Sequence, residues 1–227
     1  MAMIYLIRHG QASFLKEDYD KLSELGVAQS GILGESLKNR KIEPDFTTGG
    51  SLVRHHETAT HCLNALGNSM KYEEMGHWNE YDHMELLTRH HPAFTDYEAI
   101  GNHLRAQENP MAALQQILND SILDWMEEKY SYAVTWKQFK ARVWEGLTQV
   151  AEQLEKGGRA FIFTSGGPIA MVMIKMLNLE EKQFIELQGR LVNSSVTKIL
   201  VGRNKLSLST YNDYSHLEHN AELITYR

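Results

Sequence analysis

The run Met3-Ile4-Tyr5-Leu6-Ile7 is apolar at every position and stops at Arg8-His9-Gly10. A strand without polar alternation has both faces buried, as in a parallel sheet covered by helices on its two sides. Ala160-Phe161-Ile162-Phe163 repeats the pattern and runs into Ser165-Gly166-Gly167, with Pro168 suited to the first turn of a helix. These two short runs constrain the chain to an α/β layered fold. In such folds ligands sit beyond the C-terminal ends of the strands, where both polar loops lie.

The remaining segments alternate accordingly. Ser23 is a candidate N-cap for a helix to about Asn39, with Ala28, Ile32, Leu33 and Leu37 on one face. Pro44 closes that unit, and residues 45–49 read as a second strand. Leu52, Ala59, Leu63 and Leu66 recur at helical spacing up to Gly67, and residues 71–75 form a marginal third strand. Thr135 and Gln138 fit a capping box for a helix with the stripe Phe139, Val143, Leu147, Val150 and Leu154, ended by Gly157-Gly158. Residues 196–201 and 206–211, joined by a turn at Gly202-Arg203-Asn204, predict an antiparallel pair.

Residues 77–142 interrupt this alternation. They hold His77, His83, His90, His91 and His103, three of the four tryptophans, and ten acidic against six basic residues. Leu114, Ile117, Leu118 and Ile122 are helically spaced. An inserted helical cap is expected here, with Trp78, Trp125, Trp136, Met84, Met111 and Met126 as its own small core and one edge lining a pocket. The expectation is therefore one domain over 1–227: a three-layer α/β/α sandwich with a mainly parallel central sheet and a cap over about 77–142.

A formal net charge of -6 without a basic cluster argues against nucleic acid as partner. The apolar stretches are too short for a signal h-region or a membrane span, so a cytoplasmic protein is expected. The single cysteine, Cys62, reads as a small core residue. His55-His56 and His90-His91 are adjacent pairs whose members point to different helix faces, so no metal site is expected.

Arg8-His9-Gly10 at the mouth of a buried strand suits a phosphoryl acceptor. The guanidinium can fork onto phosphate oxygens, and neighbouring positive charge keeps the imidazole neutral and nucleophilic. A histidine there could equally just end the strand. Ser165 faintly resembles the nucleophile of a hydrolase elbow, but Phe163 stands where that motif requires glycine.

Four segments taken in order resemble the histidine phosphatase superfamily (phosphoglycerate mutase-like). They are the signature strand Ile4 to Ala12, the helix start Leu22-Ser23-Glu24-Leu25-Gly26-Val27-Ala28-Gln29, the second-arginine segment Ser51 to Ala59, and Asn212 to Leu217 near the C-terminus. The resemblance implies a small phosphorylated metabolite or phosphate as partner and no cofactor. It implies His9 as transiently phosphorylated nucleophile, with Arg8 and Arg54 on the phosphoryl oxygens. The backbone N–H groups of Gly166 and Gly167, at a helix N-terminus, suit an anion, and Gly10, Gln11 and Ser165 are further candidates for binding substrate. An acid after the third strand protonates the leaving oxygen; Glu80 stands there, with Asp82 or Glu85 as alternatives. Two positions depart from the family pattern. Gly50 stands where a serine is usual, and Ser165 stands where the family places a second histidine. Losing one preorganised donor costs on the order of 100–1,000-fold in rate. His216 or a histidine from the cap is a candidate to fill the gap.

The resemblance thus implies a phosphatase acting on a small phosphate monoester through phosphohistidine. The alternative is a catalytically weakened phosphate-binding regulatory protein, because of Ser165. A mutase is disfavoured because Gln11-Ala12-Ser13-Phe14-Leu15-Lys16 replaces the tryptophan- and asparagine-rich stretch of true mutases.

Overall fold

The computed structural model describes residues 1–12, 20–203 and 205–226. Ser13 to Lys16, on which the argument against a mutase rests, and Asn204 of the expected turn lie outside the described residues. Six strands, β1 (Ala2–Arg8), β2 (Phe46–Gly49), β3 (Glu73–Glu74), β4 (Arg159–Thr164), β5 (Val196–Val201) and β6 (Leu206–Asp213), form one sheet in the order β3-β2-β4-β1-β5-β6. The β3–β2, β2–β4 and β4–β1 pairings are parallel; β1–β5 and β5–β6 are antiparallel. The fold is α/β with a mixed, mainly parallel sheet.

Strand alternation sets the layers. Tyr5, Ile7, Phe161 and Phe163 face helices α1 (Glu24–Asn39) and α2 (Val53–Leu66), packing on Leu33, Leu37, Ala59, Cys62 and Leu63. Ile4, Leu6, Ala160 and Ile162 face the other way. They pack on α6 (Trp136–Gln153) and α7 (Gly166–Leu177) through Phe139, Val143, Leu147 and Val172. Cys62 is buried in the first layer, which pushes its thiol up to about 12 and leaves it unreactive.

Local signals explain the helix ends. The Ser23 hydroxyl accepts from the Gly26 amide, and Thr135 and Gln138 close a capping box. Gly67 ends α2 at φ +82°, open to glycine without strain. One end differs from expectation: α6 stops at Gln153, and Gly157-Gly158 lie in the turn beyond it. Helix α8 (Gln183–Arg190), for which the sequence reading made no assignment, buries Phe184 against Trp136 and Phe139.

Helices α3 (His83–His90), α4 (Tyr97–Arg105) and α5 (Pro110–Met126) lie between β3 and α6. Their own apolar cluster is Leu87, Phe94, Ile100, Leu104 and Leu114. The expected aromatic cap core is corrected: Trp78, Trp125 and Trp136 belong to the large cluster on the sheet, while Met111 is 48% exposed. Large rings pack well on one another, and Trp125 on α5 meets Trp136 and Phe139 of α6 at 5.0 and 5.3 Å between centroids.

Candidate active site

Strand register gathers the site. Arg8 pairs with Thr164 and Gly49 with Phe163, so His9, Gly50 and Ser165 leave three adjacent strands at one edge. The His9 amide donates to Thr164 O at 2.9 Å, and the Gly50 amide to Phe163 O at 3.2 Å. Helix α2 begins four residues after β2 and brings Arg54 and His55 to the same edge.

His9 is 7% exposed, and its Nδ1 lies 2.7 Å from Gly10 O. A carbonyl only accepts, so Nδ1 carries the proton and Nε2 the lone pair. Burial, then the Arg54 and Arg8 guanidiniums and the His55 ring, hold His9 well below the ordinary histidine value. The ring is neutral at pH 7, with Nε2 free of a proton. Arg8 is fixed by the backbone, donating to Leu191 O and, at 3.0 Å, to Tyr226 O. Arg54 pairs with Asp20 at 2.6 Å, and Asp20 also accepts from the Val53 amide at 2.8 Å, capping α2.

Glu80 Oε2 accepts from the Gly167 amide at 2.9 Å, and Oε1 from the Tyr81 amide at 3.2 Å. Burial raises its pKa against the opposing effects of the Gly167 amide, Arg54, the Tyr81 amide and Arg8. Arg8, His9, Arg54, Glu80 and Gly166 line one cavity of about 400 Å³. Its remaining walls are mostly apolar, with Met84 and Leu87 from α3, Ile100 from α4, Leu114 from α5 and Ile185 from α8.

The other expected binding residues are differently employed. The Gly10 amide donates to Thr58 Oγ1 at 3.0 Å, and the Gly167 amide is taken by Glu80, so both donors already have protein acceptors. Gln11 is turned to the start of α1, where its Oε1 accepts from Ser23 Oγ at 2.8 Å. Ser165, 1% exposed, bonds His55 Nε2 at 2.7 Å. His216 pairs with Ser194 Oγ at 3.0 Å and is not among the residues lining the cavity. His90 pairs with Asp124 at 2.7 Å. Among the described residues no group of three or more His, Cys, Asp or Glu side chains is placed to hold a metal ion.

Sequence reasoning missed Asp20, His55 and the cavity-lining His83. For His55 a signal existed in Gly50: a Cβ there would stand 2.3 Å from His55 Nδ1, so the absent side chain makes room for the ring. For Asp20 no motif pointed to the pairing.

The family profile of the histidine phosphatase superfamily (branch 1) matches residues 4–214. The chain belongs to this superfamily. Solved structures agree on the fold. A mutant phosphoserine phosphatase from Entamoeba histolytica in complex with phosphoserine is 15% identical, at TM-score 0.67 over 96% of this chain and 100% of that one. Phosphoglycerate mutase from Bacillus anthracis is 19% identical, at TM-score 0.63 over 96% and 95%. A mycobacterial glucosyl-3-phosphoglycerate phosphatase with inorganic phosphate is 19% identical, at TM-score 0.63 over 94% and 98%. No curated protein sequence matches the chain. Among the described residues no helix of this superfamily member is long and apolar enough to cross a membrane.

Proposed function

We propose that this histidine phosphatase hydrolyses a small phosphate monoester whose organic group is apolar, through a phosphohistidine on His9. The supporting observation is the tautomer: the Gly10 carbonyl holds the Nδ1 proton, leaving the Nε2 lone pair beside two arginines and a carboxyl group of raised pKa. Nε2 attacks phosphorus, and the ester oxygen leaves with the Glu80 proton. Glu80, now a carboxylate, takes a proton from a water that attacks the phosphohistidine, releasing phosphate and restoring both groups. Arg8 and Arg54 stabilise charge on the transferring oxygens, which is the main demand of phosphoryl transfer. Asp20 holds Arg54 in place at the mouth of α2.

Helices α3–α5 act as a cap whose apolar side receives the organic group. Residues 77–142, which include these helices, carry ten acidic and six basic residues, a net charge of -4 that disfavours polyanions. An aryl or branched alkyl phosphate should thus be turned over faster than a polar one such as glycerol phosphate. Ser165 in place of the second histidine favours the other reading, a regulatory protein that binds phosphate without turnover. The deciding experiment is rapid-quench reaction with a 32P-labelled aryl phosphate in EDTA. Acid-labile, base-stable phosphoenzyme in wild type and none in His9→Ala is expected. Turnover unchanged by His9→Ala refutes the mechanism, and phosphate binding without turnover selects the regulatory protein.

A further inference from the structure

The second-histidine position holds serine, yet an imidazole is present beside it. His55 comes from α2 and not from the β4–α7 loop. It is completely buried, its Nε2 lies 2.7 Å from Ser165 Oγ, and its ring stands 5.9 Å from that of His9 at 41°. The opposite edge, Nδ1, lies against Gly50. The Gly50 carbonyl favours a proton there without the alignment of a full hydrogen bond. Any side chain at residue 50 would collide with this nitrogen. The two departures from the family pattern, Gly50 and Ser165, therefore bracket one ring: the first vacates space for it and the second meets its Nε2.

Resting on the phosphohistidine reading, we infer that His55 is the relocated second histidine, a positioning residue that acts on the phosphoryl group through the Ser165 hydroxyl. Ser165 immediately precedes Gly166, which lines the cavity. A hydroxyl has one proton and two lone pairs. When His55 Nε2 accepts the Ser165 proton, the hydroxyl has nothing to donate to an anion. When Nε2 is protonated and donates to Oγ, the Ser165 proton is released towards a phosphoryl oxygen, and the oxygen meets a donor backed by an imidazolium.

The charged groups around the ring set when this happens. Burial and Arg54 hold the ring neutral; the Gly50 carbonyl opposes them, and His56 reinforces them. His9 faces it from β1, and the Tyr72 hydroxyl donates to Gly50 O at 2.6 Å behind it. A phosphate dianion entering beside Arg54 offsets that guanidinium's charge, so anion binding favours protonation of His55.

The test moves the imidazole back. Wild type, His55→Ala, Ser165→His and the double variant are compared for kcat and KM with para-nitrophenyl phosphate, with His9→Ala as blank. His55→Ala should lower kcat about 100-fold with a smaller change in KM. Ser165→His alone should also lower it, because two rings then compete for one space. The double variant should recover to within about tenfold of wild type. Ser165→Asn in the His55→Ala background fills space without an imidazole and should recover nothing. If His55→Ala does not fold, His55→Gln keeps a neutral donor without charge and should show the same loss. Unchanged kcat in the His55 variants overturns the inference, as does a double variant no better than His55→Ala. So does recovery by asparagine. Should wild type show no His9-dependent turnover, the phosphatase reading falls separately. Calorimetric affinity for inorganic phosphate then decides on the same variants: weakening in His55→Ala with recovery in the double variant supports the relocation, and equal affinities overturn it.

Discussion

Adding one methyl group at Gly167 should displace Glu80, the proposed general acid, without altering its chemistry. In Gly167→Ala the new Cβ would stand 2.1 Å from Glu80 Oε1 and 3.0 Å from both Glu80 Cδ and Tyr81 Cε1, where ordinary contact begins near 3.4 Å. The Tyr81 ring is held in an aromatic cluster with Trp125, Phe139 and Phe184, so the carboxyl group must retreat, by roughly 1 Å. A misplacement of about 1 Å costs on the order of 100-fold, and general acid catalysis contributes about 100–10,000-fold, so kcat on an alkyl phosphate should fall at least about 100-fold. That corresponds to ~2.7 kcal/mol at the transition state. An aryl phosphate with a good leaving group needs less protonation and should lose less. Stopped-flow and steady-state kinetics on a matched alkyl and aryl pair provide the comparison, with Glu80→Gln as reference. Inorganic phosphate should still bind, since the cavity-lining arginines are undisturbed. Unfolding free energy should change by less than about 1.5 kcal/mol, because the displaced atoms end a flexible side chain. A variant with wild-type kcat on the alkyl ester would refute the placement of Glu80 as proton donor.

The kcat/KM profile should be bell-shaped: activity rises as His9 loses its proton below pH 6.5 and falls as Glu80 ionises above 4.5, so a falling limb that survives in Glu80→Gln contradicts the assignment. Gly50→Ala should destabilise the fold by about 1–3 kcal/mol in urea denaturation, because its Cβ drives the buried His55 ring off Ser165; in a His55→Ala background the ring's share of that cost should vanish, leaving the contact with Asn79 Oδ1 at 2.6 Å. His216 is held at about 4 chiefly by burial, below its ordinary 6.5. Between those values the unfolded chain binds the extra proton, so the full contribution to stability is present above pH 6.5 and is lost as pH falls towards 4. At pH 5 this amounts to ~2 kcal/mol, and His216→Gln should reduce the difference in stability between pH 7.5 and pH 5 by about that much; an undiminished difference rules the origin out.

Elements whose signals are local were legible in the sequence. The β1 and β4 runs declare burial on both faces because every residue is apolar. Ser23, Gly67 and the Thr135–Gln138 box mark helix ends because capping is decided within a few residues. Arg8, His9 and Arg54 were recognisable because a strand end and a helix start each carry a short ordered motif. What the sequence could not determine is how groups far apart in the chain meet. His55 touches Ser165 across 110 positions, and Gly167 holds Glu80 across 87. Asp20 finds Arg54 across 34. The three tryptophans of residues 77–142 join the main core, where Trp125 and Trp136 meet Phe139. Tertiary packing alone decided those contacts. A hydrogen bond or a steric exclusion depends on ångström distances that strand register and helix docking create, and neighbours in sequence carry no record of them.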